Sequence, residues 1–412
     1  MTAPTGAVFV LPGTTAGQRG PVASWVSTAG WADAARRVLG QAWIATPAGV
    51  LEPDEARTIG SNPALGTDNA PTWRRHIPLP LKTAIKDVRQ WQRARNFSLS
   101  QHGPWDKTEL AFVWQRHELF HHAGLDLADA LHVPSVLFVP ATIVWEAQNW
   151  GVRRRGWSGP LERTGEAKAL TRADLVACGS ELVREQVLRL GVAEERTLIT
   201  PTGVDLTTFA HGHGDATSPK AALGLTDRFV IGWVGSFRSF HAVEQLVDAA
   251  AGISDATILL VGDGPERAAV EARARAAGVS TVSTGTVAHA ELPAVLAAMD
   301  IAVVLAPSGR PFHYSPLKLA EYLAAGLAVV APDLPQLADR LTPGVDCLLV
   351  PPSQPAELAA ALQRLRLDPE LRGRLGAAAR TTASNAWSWD TQIERIVAHL
   401  HVSASQPARG RP

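Results

Sequence analysis

Residues 315–326 read Ser-Pro-Leu-Lys-Leu-Ala-Glu-Tyr-Leu-Ala-Ala-Gly. Serine followed by proline starts a helix well. Ser315 offers a side-chain oxygen to the first free N–H groups, and Pro316 has no N–H to lose in the first turn. Gly326 suits the left-handed residue that ends a helix. On either side lie short apolar runs, 301–305 and 327–330. Neither alternates with polar residues, so both read as strands buried on two faces, the kind a parallel sheet uses when helices cover it. Runs of the same kind recur at 229–234, 257–261 and 347–350, separated by Ala-, Glu- and Leu-rich stretches such as 265–277 and 291–299. Strand, helix, strand, helix predicts a doubly wound α/β domain. The first half keeps this rhythm more loosely, with runs at 8–11, 42–45, 110–114, 136–139 and 175–178.

Ligands of open α/β sheets bind beyond the carboxyl ends of the strands, and here those ends are marked one after another. Run 229–234 leads into Gly235-Ser236-Phe237-Arg238, run 257–261 into Gly262-Asp263-Gly264-Pro265, run 281–283 into Thr284-Gly285-Thr286-Val287, and run 301–305 into Ala306-Pro307-Ser308-Gly309. Glycine lets a backbone approach a ligand closely. One such turn is ordinary, and four in register on one domain point to a bound small molecule. The helix of residues 315–326 would add free N–H groups and a positive dipole end, which suit a diphosphate. Lys318 stands in its first turn, where the dipole disfavours a cation unless an anion is present. Glu321 lies three residues on, on the same face. It is placed either to accept hydrogen bonds from the hydroxyls of a ribose or to pair with Lys318.

The chain has 412 residues, more than one hydrophobic core usually holds, so two domains are expected. The boundary is read near 200–209, giving a first domain of residues 1–200, a second of 201–385, and a C-terminal helix and tail of 386–412 that crosses back to the first. Lysine plus arginine and aspartate plus glutamate number 39 each, a balance that argues against a general nucleic-acid binder. No apolar run approaches the roughly 20 residues of a membrane-spanning helix. The N-terminus has no basic start and reads as a strand rather than a signal peptide. Cys178 and Cys347 lack metal-ligand spacing and are expected as buried free thiols, so a cytoplasmic location is expected.

With these residues in place, the second half resembles the nucleotide-binding domain of the family 4 glycosyltransferases, a retaining group of the GT-B fold. Ala177-Cys-Gly-Ser-Glu, Pro201-Thr-Gly-Val-Asp205 with Phe209, the four strand-end loops, Ser308, the stretch 319–326, Gly344, 348–351 and the Trp-Ser-Trp at 387–389 follow that family's order. The likeness is good over roughly 170–400 and poor before. It implies two Rossmann-like domains facing a central cleft. The second domain would bind a nucleotide-diphosphate sugar of UDP or GDP type, and the first a small-molecule or glycan acceptor. It also implies transfer with retention and no metal or resident cofactor. Glu321 matches the family's ribose ligand, and Val287, beside Thr286, the position whose backbone flanks the base. Arg238 falls in the loop that carries diphosphate-binding cations, together with Gly235 and Ser236, and Gly262 follows in the next loop. The approach to the helix, His313-Tyr314-Ser315-Pro316-Leu317, is counted with the donor site, as is Gly17 in the loop 14–20 after the first strand.

Two positions depart from the family pattern. His313 stands where the first glutamate of a Glu-x7-Glu pair touches the donor sugar, and His241-Ala242 replaces a Lys-Gly. His241 is expected to be mostly neutral at pH 7, so the diphosphate charge is assigned to Arg238 and Lys318. The missing glutamate keeps a catalytically silent sugar-nucleotide binder open as an alternative, and a nucleotide-sugar 2-epimerase is a further one. In the first half, Trp114-Gln-Arg-His117-Glu118 ends a strand where the family carries an active-site histidine, and that role passes to His117. As a loop residue it is expected to carry little of the core. Arg116 is a weaker candidate, and a metal site at His117, Glu118, His121 and His122 is disfavoured for want of a distant ligand set. Ten of the 13 tryptophans lie before residue 160. Trp145, Trp150 and Trp157 fall in a polar, arginine-rich stretch and are acceptor candidates, while Arg153–Arg155 read as a solvated face. Two stretches, 53–81 and 149–165, read as irregular insertions.

Overall fold

The computed structural model describes residues 4–12, 23–61, 79–210, 219–309, 317–338 and 340–404. Among them, residues up to 202 and from 389 onward form one compact unit, and residues 203–309 and 317–388 form another.

The first unit is built on seven strands: β1 (Gly6–Val10), β2 (Gln41–Thr46), β3 (Gly49–Leu51), β4 (Leu110–Arg116), β5 (Ser135–Val139), β6 (Leu175–Cys178) and β7 (Thr197–Ile199). Their order is β3-β2-β1-β4-β5-β6-β7. Every pairing is parallel except that of β2 with the short β3. The apolar runs owe their lack of alternation to burial on both faces: all residues of β1, β5 and β6 are buried. One face packs an aromatic layer in which Phe9, Trp31, Trp114 and Phe138 touch at centroid distances of 5.3–5.9 Å. Each such buried side chain contributes on the order of 1.5–3 kcal/mol. Five tryptophans of the first half are thus core residues, Trp25, Trp43 and Trp105 together with Trp31 and Trp114. The chain returns to this unit at its end. The helix Trp389–Ala404 sets Trp389 against Trp31 at 5.0 Å, and Arg37 bonds Asp390. Gly30 leaves the room for that indole: a Cβ there would lie 2.5 Å from the Trp389 Nε1.

The second unit has six parallel strands: β8 (Phe229–Val234), β9 (Ala256–Val261), β10 (Ser280–Gly285), β11 (Ile301–Val303), β12 (Ala328–Pro332) and β13 (Leu348–Val350), in the order β10-β9-β8-β11-β12-β13. In each sheet the winding reverses once, between β1 and β4 and between β8 and β11. These reversals are the switch points where such sheets open a crevice at their carboxyl edge.

The sequence reading missed β3 and β7, three-residue strands too short to show a period. Both stretches read as irregular contain helical turns among their described residues. Residues 53–81 contain the helix Pro53–Ser61 and the start of Leu79–Arg95, and residues 149–165 contain Ser158–Leu161 and the first part of the π-helical turn Glu162–Ala167. Among the described residues no helix is long and apolar enough to cross a membrane. Cys178 and Cys347 are buried and free.

Candidate functional site

In the second unit the helix Leu317–Ala324 presents its first turn to the end of β8. It ends as its sequence asks. Gly326 has φ +71°, its N–H bonds the Leu323 carbonyl, and the Leu327 N–H bonds that of Tyr322. Tyr322 is buried, and its hydroxyl oxygen accepts a hydrogen bond from the Val234 N–H at 2.8 Å, which ties the helix to the strand end. One turn earlier, the Lys318 ammonium lies 4.3 Å from the Trp233 ring centroid, and a Cβ on Gly235 would sit 2.7 Å from Nζ. The ammonium is therefore held over an indole and against a glycine turn. Burial there pulls its pKa down to about 7, and nearby Glu321 offsets this only in part.

Glu321 does not pair with Lys318. It is buried, and its Oε1 lies 2.9 Å from the Nε2 of His289, whose ring also meets Phe209 edge-on at 5.7 Å. The sequence reading missed His289, because nothing in the loop after β10 separates it from other surface histidines before the fold brings it to Glu321. His241 is buried edge-on to Trp233. Burial first, then the Lys318 and Arg238 charges, push its pKa down to about 2, so it is neutral. Arg238 is exposed and forms no ion pair among the described residues.

The strand-end glycines have a further reason to be glycine. At Gly262, φ +117°, a Cβ would meet the Gly235 carbonyl oxygen at 2.0 Å, and at Gly264 one would meet that of Ser236 at 1.8 Å. The Gly235 N–H bonds the Val261 carbonyl and the Gly262 N–H bonds that of Gly285. The turns after β8, β9 and β10 are thus laced backbone to backbone, and this mutual contact accounts for Gly262 without a ligand. Thr286 is exposed and Val287 half-buried just beyond. Gly17, His313, Tyr314, Ser315 and Pro316 lie outside the described residues, and Leu317 opens the helix.

In the first unit a cavity of about 620 Å³ opens at the β1/β4 reversal. Pro12 follows β1, Arg116 ends β4 with His117-Glu118 just beyond it, and Pro140-Ala141 follow β5. The helix Leu79–Arg95 forms another wall, and Ile143 and Glu146 of the helix Ile143–Asn149 add to it. His117 lines this cavity, yet its side chain is fully buried, against the expectation of a loop residue with little core. Its Nε2 lies 3.0 Å from Glu166 Oε1, and that carboxylate also accepts from the Ile143 and Val144 N–H groups at 2.6 and 3.0 Å. One buried carboxylate therefore caps the helix Ile143–Asn149 and fixes the histidine. Burial raises the Glu118 pKa against the pull of Arg116, and burial lowers that of Arg116. Among the described residues no group of three or more His, Cys, Asp or Glu side chains is placed to hold a metal ion.

The helix Leu79–Arg95 is hung on Asp87. Buried Arg154 reaches it with Nε at 2.8 Å and Nη2 at 3.0 Å, and Trp157 donates its indole N–H at 3.0 Å. Of the basic run, Arg154 is therefore a buried anchor rather than part of a solvated face, and Trp157 serves the same anchor. Trp150 is exposed.

A family model described as glycosyl transferases group 1 matches residues 228–368. A 2-deoxystreptamine glucosyltransferase of Streptomyces kanamyceticus is 32% identical over 219 residues, covering 51% of this chain and 56% of that protein. A D-inositol 3-phosphate glycosyltransferase of Thermomonospora curvata is 30% identical over 345 residues, 71% of this chain and 77% of that one. The chain spans about half the length of the first of these relatives. Among solved structures, Anabaena HepE in complex with UDP and glucose superposes with TM-score 0.65 at 17% identity, over 97% of this chain and 100% of that one. Sucrose-phosphate synthase of Thermosynechococcus elongatus does so with TM-score 0.62 at 18% identity, over 98% and 100%. At such identities these superpositions speak to the shared two-sheet GT-B fold.

Proposed function

The chain belongs to the group 1, family 4-like glycosyltransferases, and from that premise we propose that it moves a sugar from a nucleotide diphosphate, of UDP or GDP type, to a small-molecule or glycan acceptor. The second unit binds the donor and the first receives the acceptor. Transfer proceeds with retention, no resident cofactor takes part, and the reaction is placed in the cytoplasm. The observation that carries this reading is the placement of Lys318 and Glu321 one turn apart on a helix pinned to the end of β8. Lys318 is the cation for the departing diphosphate. A part-buried ammonium with a lowered pKa gains most from a dianion, because the same low-dielectric surroundings that disfavour its charge strengthen the attraction. Arg238, exposed and without an ion pair among the described residues, is the second phosphate ligand in the neighbouring turn. Glu321, oriented by His289, accepts from the ribose hydroxyls, and the backbone at Thr286 and Val287 flanks the base. In the first unit His117, held by Glu166, positions the acceptor at the strand end, where hydrogen bonds to a hydroxyl matter more than a full proton transfer.

The test separates phosphate from ribose. Lys318→Ala is expected to weaken UDP binding about tenfold or more and to leave uridine binding nearly unchanged, whereas Glu321→Ala should weaken both by a similar factor. Calorimetric titration of the two ligands reads the pattern. Equal losses of UDP and uridine in Lys318→Ala would show a structural role and remove the diphosphate assignment.

A further inference from the structure

We propose that the acceptor is a small anion: a sugar- or cyclitol-sized molecule carrying a phosphate or carboxylate, held in the cavity of the first unit by a cationic stripe on the helix Leu79–Arg95. The proposal rests on the donor and acceptor assignment above and specifies its second substrate.

Lys82, Lys86, Arg89 and Arg93 are spaced 4, 3 and 4 residues apart, so they fall on one face of the helix, and all four line the cavity. Arg116 faces them from the end of β4. Against these five cations the cavity wall sets two carboxylates, Glu118 and Glu146. Among the described residues Lys86, Arg89, Arg93 and Arg116 form no ion pair, although the same helix makes a tight one on another face through Asp87 and Arg154. That contrast matters. The Asp87 anchor fixes the helix by a buried bidentate contact, and so fixes which face turns toward the cavity. Burial also drives Glu118 toward its neutral form, which lowers the negative charge available to balance Arg116. The apolar part of the wall, Pro12, Ile85, Pro140, Ala141 and Ile143, suits the ring faces of a sugar or cyclitol. A cavity of about 620 Å³ has room for a monosaccharide-sized ligand. An amino sugar or aminocyclitol would bring a cation against this stripe, so the same wall selects against it.

The full chain, saturated with UDP, is titrated with three probes of matched size: glucose 6-phosphate, glucose and glucosamine. Glucose 6-phosphate is expected to bind about tenfold more tightly than glucose, with glucosamine weakest. The preference should shrink when NaCl is raised from about 0.05 to about 0.5 M, because exposed cations are screened. The triple variant Lys86→Ala, Arg89→Ala, Arg93→Ala should lose it. These three side chains are exposed and alanine favours helix, so the variant is expected to fold, and its far-ultraviolet circular dichroism checks this. Equal affinity for the three probes, absence of binding included, overturns the proposal, as does a preference that survives in the triple variant. Failure of the unaltered chain to bind UDP in the first step would break the donor assignment instead, so the two readings fail separately.

Discussion

In the first unit the elements around the cavity hang on buried charge: Asp87 holds the helix Leu79–Arg95 through Arg154 and Trp157, and Glu166 holds His117 and a helix start. In the second unit the turns around Lys318 are held by glycine backbones in direct contact, Gly262 on Gly235 and Gly264 on Ser236. Charge anchors are tolerant of sequence around them, since a carboxylate and its donors can be supplied from many positions. Backbone contact is intolerant, because nothing but glycine fits. The matched family model covers only residues 228–368, inside the second unit.

The sharpest way to break this contrast is to remove an anchor. Asp87→Ala leaves Arg154 buried without its partner, and loss of one member of such a pair costs about 3–5 kcal/mol. Chemical denaturation should show a loss of that order. A loss below about 1 kcal/mol would mean that the Asp87 contact is decoration and the helix is held by packing alone. Gly262→Ala tests the other side. A Cβ forced to 2.0 Å from a carbonyl oxygen at φ +117° combines overpacking with backbone strain, together about 2–4 kcal/mol. UDP affinity should fall with stability, because the laced turns carry Gly235 and through it the seat of Lys318. Unchanged UDP binding would separate the lacing from the site.

The smallest expected effect sharpens the comparison electrostatically. Lys318 has a folded-state pKa of about 7, below the usual lysine range. A bound diphosphate favours the charged ammonium, so binding takes up a proton wherever the free lysine has lost one. Affinity for UDP should therefore fall as pH rises above 7, by roughly tenfold between pH 7 and 8.5. A flat profile over that window in calorimetry would show that Lys318 stays charged without ligand. Lys318→Arg, always protonated, should flatten the profile.

Most of the second unit was legible in the sequence because its strands are buried on both faces and its turns are glycine-marked. The run 229–234 matches β8 to the residue, and Gly326 stops its helix as expected. What escaped were pairings that join distant parts of the chain. Glu321 finds His289 rather than Lys318, 32 residues away instead of three. The basic stretch around Trp157 was read as a surface, because no local signal tells a solvated arginine from one buried on an aspartate 67 residues earlier. His117 was placed correctly at a strand end but with too little structural duty, since its partner Glu166 lies 49 residues on. Periodicity reports which face is buried, and it is silent about which polar groups meet there.

The return of the chain to the first unit at Trp389 has a consequence for the order of manufacture. A ribosome that has finished residues 4–202 has not finished the first unit. The slot at Gly30 and the face of Trp31 wait for an indole that emerges only after all of residues 203–388. The unit made first is thus completed last, and the one made second can close while the first still lacks its final helix. Damage to the last helix of the chain would accordingly be felt at the beginning of the protein, in the unit that holds the β1/β4 cavity, and not in the unit that precedes it in sequence.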